Sequence, residues 1–303
     1  MNPPLTEAEL AACPPAAQAV LERYLAGEVS AEIALMHLLL AAGALPPLLD
    51  CLQHLAATGR DPLLRLTTLA AQHREGLTRA AAMVAAGLTD AAGADPLAAI
   101  RDQYDRAVAV APEAAVALYS LDDPAILERA TAELAALLGD WGLLGLDRDA
   151  LDIGCGIGRL EQALAQHLRR ILGIDLSPAM AAEARRRCAG IANAAFAVCD
   201  GDGLAQFARQ SFDLILAVDS FPCFAAAAPD IAGRYIRDAA RRLRPGGALA
   251  IFNYSYRGDL AADRADIAGH ADAAGLQVVR NGTRDLALWD GTSFLLSCPS
   301  RRE

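Results

Sequence analysis

The chain has 303 residues, room for two modest domains or one domain with a large appendage, and a formal net charge of −10 that is unevenly placed. Residues 1–148 hold 9 Arg against 19 Asp and Glu, whereas residues 149–303 hold 18 of each sign; such a surface repels a phosphate backbone and argues against nucleic acid as a substrate. All 27 basic residues are Arg, which excludes a Schiff-base lysine, pyridoxal phosphate attachment and a P-loop lysine.

The first 90 residues read as a helical array. Thr6 and Glu9 have capping-box spacing, Ser30 can cap a helix running through Leu40, and Asp61-Pro62 places a cap and a first-turn proline before a helix over Leu63 to Gly76. The most apolar run, Ile33 to Leu45, contains His37 and is too short to cross a bilayer. No two of His37, His54 and His73 stand at i, i+4, so metal ligation is not expected. The seven Cys lie at 13, 51, 155, 188, 199, 223 and 298 without a C-x-x-C pair, which points to neither zinc nor a disulfide framework. Reduced thiols in the cytoplasm are the expectation, and no secretory leader opens the chain.

Gly87 to Asp95 reads as a linker. Asp95-Pro96 then starts a helix carrying Tyr104 and Asp105, and Asp123-Pro124 starts another running to about Leu138. The stretch that organises the remainder is residues 150–177, ALDIGCGIGRLEQALAQHLRRILGIDLS. A strand ends in Asp152, a turn follows with Gly154, Gly156 and Gly158, and a helix leads to a second strand closing on Asp175. Glycines there let the backbone turn sharply and approach a ligand, and a carboxylate ending the second strand can accept both hydroxyls of a ribose. The spacing is G-x-G-x-G; the third Gly of a dinucleotide fingerprint would fall on Arg159.

The run Leu151-Asp152-Ile153-Gly154-Cys155-Gly156-Ile157-Gly158 resembles motif I of the class I S-adenosylmethionine (SAM) dependent methyltransferases, small-molecule type, and the likeness extends over roughly the last two thirds of the chain. It implies an α/β, Rossmann-like fold: a seven-stranded, mostly parallel sheet with an antiparallel edge strand and helices on both faces, preceded by an all-α N-terminal domain. The expected division is 1–90 helical, 91–140 linker and lid helices, 141–303 SAM-binding core. Tyr104, with Tyr119, resembles the lid tyrosines that close over SAM in such enzymes; half-buried packing is the alternative for each.

After the turn, Ser177-Pro178 caps a helix, where Pro178 and Met180 could pack an apolar edge against adenine. A strand over Phe196 to Cys199 ends in Asp200-Gly201-Asp202, and the resemblance places Asp200, ahead of Asp202, on the adenine amine. A short helix is expected over Gly203 to Arg209. The fourth strand, Phe212 to Val218, leads to Asp219-Ser220-Phe221-Pro222-Cys223 at a strand end that should face the methyl group. Helix Asp230 to Leu243, the turn Arg244-Pro245-Gly246-Gly247, strand Ala248 to Asn253, helix Gly258 to Ala274 and a hairpin of strands Leu276 to Arg280 and Thr292 to Cys298 complete the chain.

The resemblance implies SAM as cofactor. Cofactor contacts are expected from Asp152, Gly154, Cys155, Gly156, Gly158, Asp175, Leu176, Met180, Asp200, Gly201, Asp219 and Tyr104, and no metal. A base, if the acceptor must lose a proton, is Asp219, Tyr254 or Tyr256; His167 and His270 sit on helices. Arg257 could clamp an acceptor carboxylate, and Cys223 could offer a thiol to a soft substrate. The Asn-Pro-Pro-Tyr signature of amino-group methylation on bases is missing after the fourth strand. The reading is a SAM-dependent methyltransferase acting on a small-molecule acceptor at O or N rather than C, without nucleic acid or membrane, able to dimerise through its N-terminal helices. The alternatives are an NAD(P)-dependent oxidoreductase and a catalytically inactive SAM-fold sensor.

Overall fold

The computed structural model describes residues 5–87, 95–228 and 230–300. The predicted linker, apart from its two end residues, lies outside them. The chain divides into two compact units. One gathers residues 1–91, 106–130 and 286–290; the other gathers 92–105, 131–285 and 291–303.

The first unit is helical. It holds α1 (Glu7–Leu10), α2 (Ala17–Leu25), α3 (Ala31–Ala42), α4 (Leu45–Ala56), α5 (Asp61–Gln72) and α6 (Arg74–Ala85). Beyond them run α7 (Pro96–Val110), α8 (Pro112–Val116) and α9 (Pro124–Asp140), and the division between units falls inside α7 and α9. The Thr6–Glu9 capping box forms in both directions, and Ser30 Oγ accepts from Ile33 N at 3.1 Å to start α3. Leu35, Leu38, Leu52, Leu55 and Leu66 are fully buried, each contributing about 1.5–3 kcal/mol.

Two helix expectations change. Arg60, not Asp61, is the N-cap of α5, with Asp61 and Pro62 in the first turn, where the carboxylate complements the helix dipole. The expected helix to Gly76 breaks at His73, whose Nδ1 lies 2.6 Å from Asp123 Oδ2, and α6 begins afresh at Arg74. The expectation that all thiols stay reduced is overturned for one pair: Cys13 and Cys51 form a disulfide, their Cα atoms 4.6 Å apart. A separation of 38 residues carries no local signal of that meeting.

The second unit is built on one sheet of β1 (Gly145–Ile153), β2 (Leu168–Asp175), β3 (Ala194–Val198), β4 (Phe212–Val218), β5 (Leu243–Phe252), β6 (Gln277–Thr283) and β7 (Ser293–Ser297). Its helices are α10 (Arg159–Leu164), α11 (Pro178–Arg187), α12 (Phe221–Ala227), α13 (Ile231–Arg242) and α14 (Leu260–Ala274). The order is β3-β2-β1-β4-β5-β7-β6. The first five strands are parallel, β7 runs antiparallel to β5, and β6 closes the edge antiparallel to β7. The strand order reverses between β1 and β4, so a crevice is expected outside their carboxyl ends.

β1, β4 and β5 bury nearly continuous apolar runs such as Leu214 to Ala217 and Leu249 to Phe252, as parallel strands covered on both faces require. At the opposite ends of the strands, Asp149 accepts from Arg169, Arg170 and Arg244. Hydrogen bonds from Arg169, against the opposing effect of burial, and then from the other two arginines hold its carboxyl well below the usual carboxylate range.

Residues 203–209 form turns, not the expected helix. Gly203 takes φ +112°, outside the helical region, and Asp238 Oδ2 accepts from Leu204 N at 3.0 Å. Conversely, α12 begins directly after β4, where the sequence reading had only a loop. Among the described residues, no helix is long and apolar enough to cross a membrane.

Candidate functional site

The glycine turn after β1 is fixed by main-chain bonds. Gly154 N and Cys155 N donate to Ile174 O at 2.8 and 3.1 Å, tying the end of β1 to the end of β2. Gly154 and Gly158 adopt φ of +75° and +80°. A Cβ on Gly154 would stand 2.6 Å from Ser220 Cβ, so the turns after β1 and β4 approach too closely for any side chain there.

Asp175 ends β2 almost buried. Its Oδ2 accepts from Gly156 N and its Oδ1 from Ser177 N, both at 2.8 Å. Burial raises its carboxyl to about 6, against the pull of those amides. Asp152 is 1% exposed and its Oδ1 has no hydrogen-bond partner among the described residues. Burial raises its carboxyl, Arg159 opposes that, and Asp175 adds to it. An acceptor atom left bare at the head of the glycine turn fits a cationic ligand group.

On the far side of the crevice, Asp200 is exposed and its Oδ1 accepts from Asp202 N at 3.0 Å. Asp202 is engaged by Arg234. Gly201, at φ +80°, lies against Leu176 and Leu97; a Cβ would be 3.3 Å from both. Met180 is 1% exposed and belongs to the core, which leaves Leu176 and Leu97 as the apolar wall. Ser177 Oγ caps α11 by accepting from Met180 N at 3.0 Å. Asp105 of α7 reinforces that cap, accepting from Ser177 Oγ and Ala179 N.

The carboxyl ends of β4 and β5 carry Asp219 and Asn253, both left-handed, with φ of +59° and +67°. Asn253 Nδ2 donates to Asp219 Oδ1 at 2.8 Å, and the Tyr256 phenol is near enough to the same carboxylate to interact with it. Burial, then Asp219 and Tyr104, push the Tyr256 phenol well above its ordinary value, although the residue is 71% exposed. Tyr104 Oη lies 3.4 Å from Cys223 Sγ. The Cys223 thiol is raised to about 11 by burial, so it is a neutral neighbour rather than a nucleophile.

Other candidates are placed elsewhere. Tyr254, 3% exposed, packs against Phe221 and Phe294, and burial raises its phenol to about 12. Tyr119 is buried and stacked on Trp289 at 6.0 Å. Arg257 is committed to Asp263 at 2.7 Å and Asp266 at 2.8 Å, so it is not a free clamp. Two residues escaped the sequence reading. Asn253 had a usable signal, a polar residue ending a strand beside that of Asp219; Glu161, a buried carboxyl on α10, had none.

A family model described as "Methyltransferase domain" matches residues 150–247. A curated demethylmenaquinone methyltransferase of Tropheryma whipplei (strain Twist) is 36% identical over 108 residues, 36% of this chain and 42% of that protein. A 23S rRNA (uracil(1939)-C(5))-methyltransferase of Aeromonas hydrophila is 40% identical over 81 residues, 25% of this chain and 18% of that protein. The chain thus spans less than half the length of these curated relatives. Among solved structures, magnesium protoporphyrin IX methyltransferase from Synechocystis PCC 6803 with bound SAM shares the fold at 19% identity and a TM-score of 0.51, over 69% of this chain and all of that one. Residues 150–247 thus match a methyltransferase domain, within a seven-stranded sheet of the class I methyltransferase fold that follows an N-terminal helical region in the chain.

Proposed function

We propose that this protein is a SAM-dependent methyltransferase that transfers the methyl group to oxygen or nitrogen of a small-molecule acceptor. The observation that carries the reading is the buried Asp152, whose unpartnered Oδ1 stands beside a glycine turn in which Gly156 N donates to Asp175. Such a cradle offers a carboxyl to an ammonium group, main chain to a carboxylate and a second carboxylate to a ribose. The curated relative named for demethylmenaquinone supports a small acceptor, and the acidic balance of residues 1–148 disfavours a phosphate backbone.

When bound, SAM supplies a sulfonium-activated methyl group. The chain supplies binding, alignment and exclusion of water. Asp175 and the turn orient the nucleoside and methionine ends; Leu176 and Leu97 provide the apolar wall. Asp219, fixed by Asn253 and Tyr256, accepts the proton that a hydroxyl or amine acceptor must lose. Tyr256, with its phenol pushed upward, stays protonated and serves as a donor rather than as the base.

Calorimetric titration with S-adenosylhomocysteine, SAM and NADH in parallel tests the cofactor. Binding of the first two without the third is expected; NADH alone would overturn the reading. Transfer of an isotope-labelled methyl group to acceptors found by screening, with the product read by carbon NMR, distinguishes O- and N-methyl from C-methyl products.

A further inference from the structure

A second carboxyl lies buried beneath the glycine turn. Glu161 of α10 is 0% exposed, and neither Oε1 nor Oε2 has a hydrogen-bond partner among the described residues. Its own backbone amide acts on it electrostatically, but at a geometry that makes no hydrogen bond. The position is built into the sheet. Gly173 of β2 is the register partner of Asp152 on β1, and a Cβ at Gly173 would stand 2.4 Å from Glu161 Oε1 and 2.7 Å from Cys155 Cβ. Gly173 has no left-handed φ, so the glycine provides space rather than backbone freedom. Register partners on adjacent strands are about 5 Å apart and send side chains to the same face. The Glu161 carboxyl therefore occupies the place next to Asp152 that a side chain on residue 173 would have filled.

Two buried carboxyls with three bare oxygens and one facing cation, Arg159, are not both ionised. The groups that face them are Arg159 on α10, Asp175 on β2, Cys155 in the turn and Cys188 at the end of α11, with Asp105 of α7 behind Asp175. Arg159 is the cation among these, and its Nη1 is engaged by Thr131 Oγ1 at 3.2 Å. Burial is the first cause raising both carboxyls, and Asp152 raises Glu161 further.

We propose that Asp152 and Glu161 share a proton in the ligand-free protein and that the ammonium group of the cofactor expels it, which makes Glu161 a positioning residue acting through Asp152. The inference rests on the cofactor reading above. In the step, one carboxyl O–H bond breaks, its electron pair stays on the oxygen, the proton passes to buffer, and the ammonium supplies the compensating charge. Both carboxylates are then ionised, and the ammonium together with Arg159 offsets their two negative charges and holds the methionine end in place.

Calorimetry with S-adenosylhomocysteine in phosphate and in Tris at pH 7 counts the protons released. The expected result for the wild type is release approaching one proton per ligand, with a dissociation constant that falls by up to about tenfold per pH unit between pH 6 and 7. In Glu161→Gln the side-chain amide donates to Asp152 and no second acid remains to share a proton with it. Release then falls by more than half and the pH slope flattens, while affinity at pH 8 stays within about threefold. Asp175→Asn should weaken binding and leave the release unchanged. Infrared spectra of the ligand-free protein at pH 7 should show a protonated-carboxyl stretch that Glu161→Gln removes. The proposal is overturned by binding without proton release, by release undiminished in Glu161→Gln, by release abolished in Asp175→Asn alone, or by absence of the infrared band. Failure of both S-adenosylhomocysteine and SAM to bind at any pH overturns the cofactor reading, and the expelled proton with it; binding without release overturns this inference alone.

Discussion

Asn253 donates its Nδ2 to Asp219 Oδ1 at 2.8 Å, and both residues hold left-handed backbones at the ends of adjacent strands. Such conformations cost of order 1 kcal/mol or more for a residue with a Cβ. Two of them joined by one hydrogen bond over-determine the direction of the carboxylate. Asp219→Asn should therefore lower the methyl-transfer rate constant by about 10²-fold or more, with S-adenosylhomocysteine affinity held within about threefold. Single-turnover kinetics and calorimetry on the same variant separate the two; a loss confined to affinity would place Asp219 on the cofactor instead.

Asp105 caps α11 from α7 through Ser177 Oγ and Ala179 N. Asp105→Ala should cost about 1 kcal/mol of stability, as loss of a helix cap does. It should also free the segment that carries Tyr104, raising the S-adenosylhomocysteine dissociation rate several-fold. Thermal unfolding and stopped-flow displacement check the two effects.

Asp152 supplies a pH test of stability. Its folded-state carboxyl is raised by burial, so the folded protein binds more protons than the unfolded chain once pH exceeds the ordinary carboxylate value. Stability is then fully present at low pH and is lost as pH rises through the raised value. Asp152→Asn, neutral at every pH, should match wild type at pH 4 and exceed its stability by more than about 1 kcal/mol at pH 8. Urea unfolding at the two pH values is the measurement.

The Cys13–Cys51 bridge closes a loop across a sequence separation of 38. By the loop-entropy argument, Cys13→Ser with Cys51→Ser should destabilise the helical unit by about 3–4 kcal/mol. Wild-type protein unfolded with and without reductant should show the same difference, and the double variant should be insensitive to reductant.

The glycine turn was legible in the sequence because its signals are local. A strand-ending Asp152, glycines at a sharp turn, Asp175 closing the next strand and the Ser177 cap each depend on neighbours within a few residues. The mostly parallel sheet with its antiparallel edge followed from recognising that pattern and from the late hairpin. What tertiary structure alone decided depends on groups far apart in the chain. Cys13 meets Cys51 because two helical segments converge. Leu204 N is held by Asp238, 34 residues away, within a segment that forms turns. Tyr254 and Tyr256, two residues apart, divide between an aromatic core and the Asp219 carboxylate because burial is set by packing rather than by residue type. Glu161 reads as an ordinary helix carboxyl in the sequence; only the missing Cβ of Gly173, on the next strand, lets it stand beside Asp152.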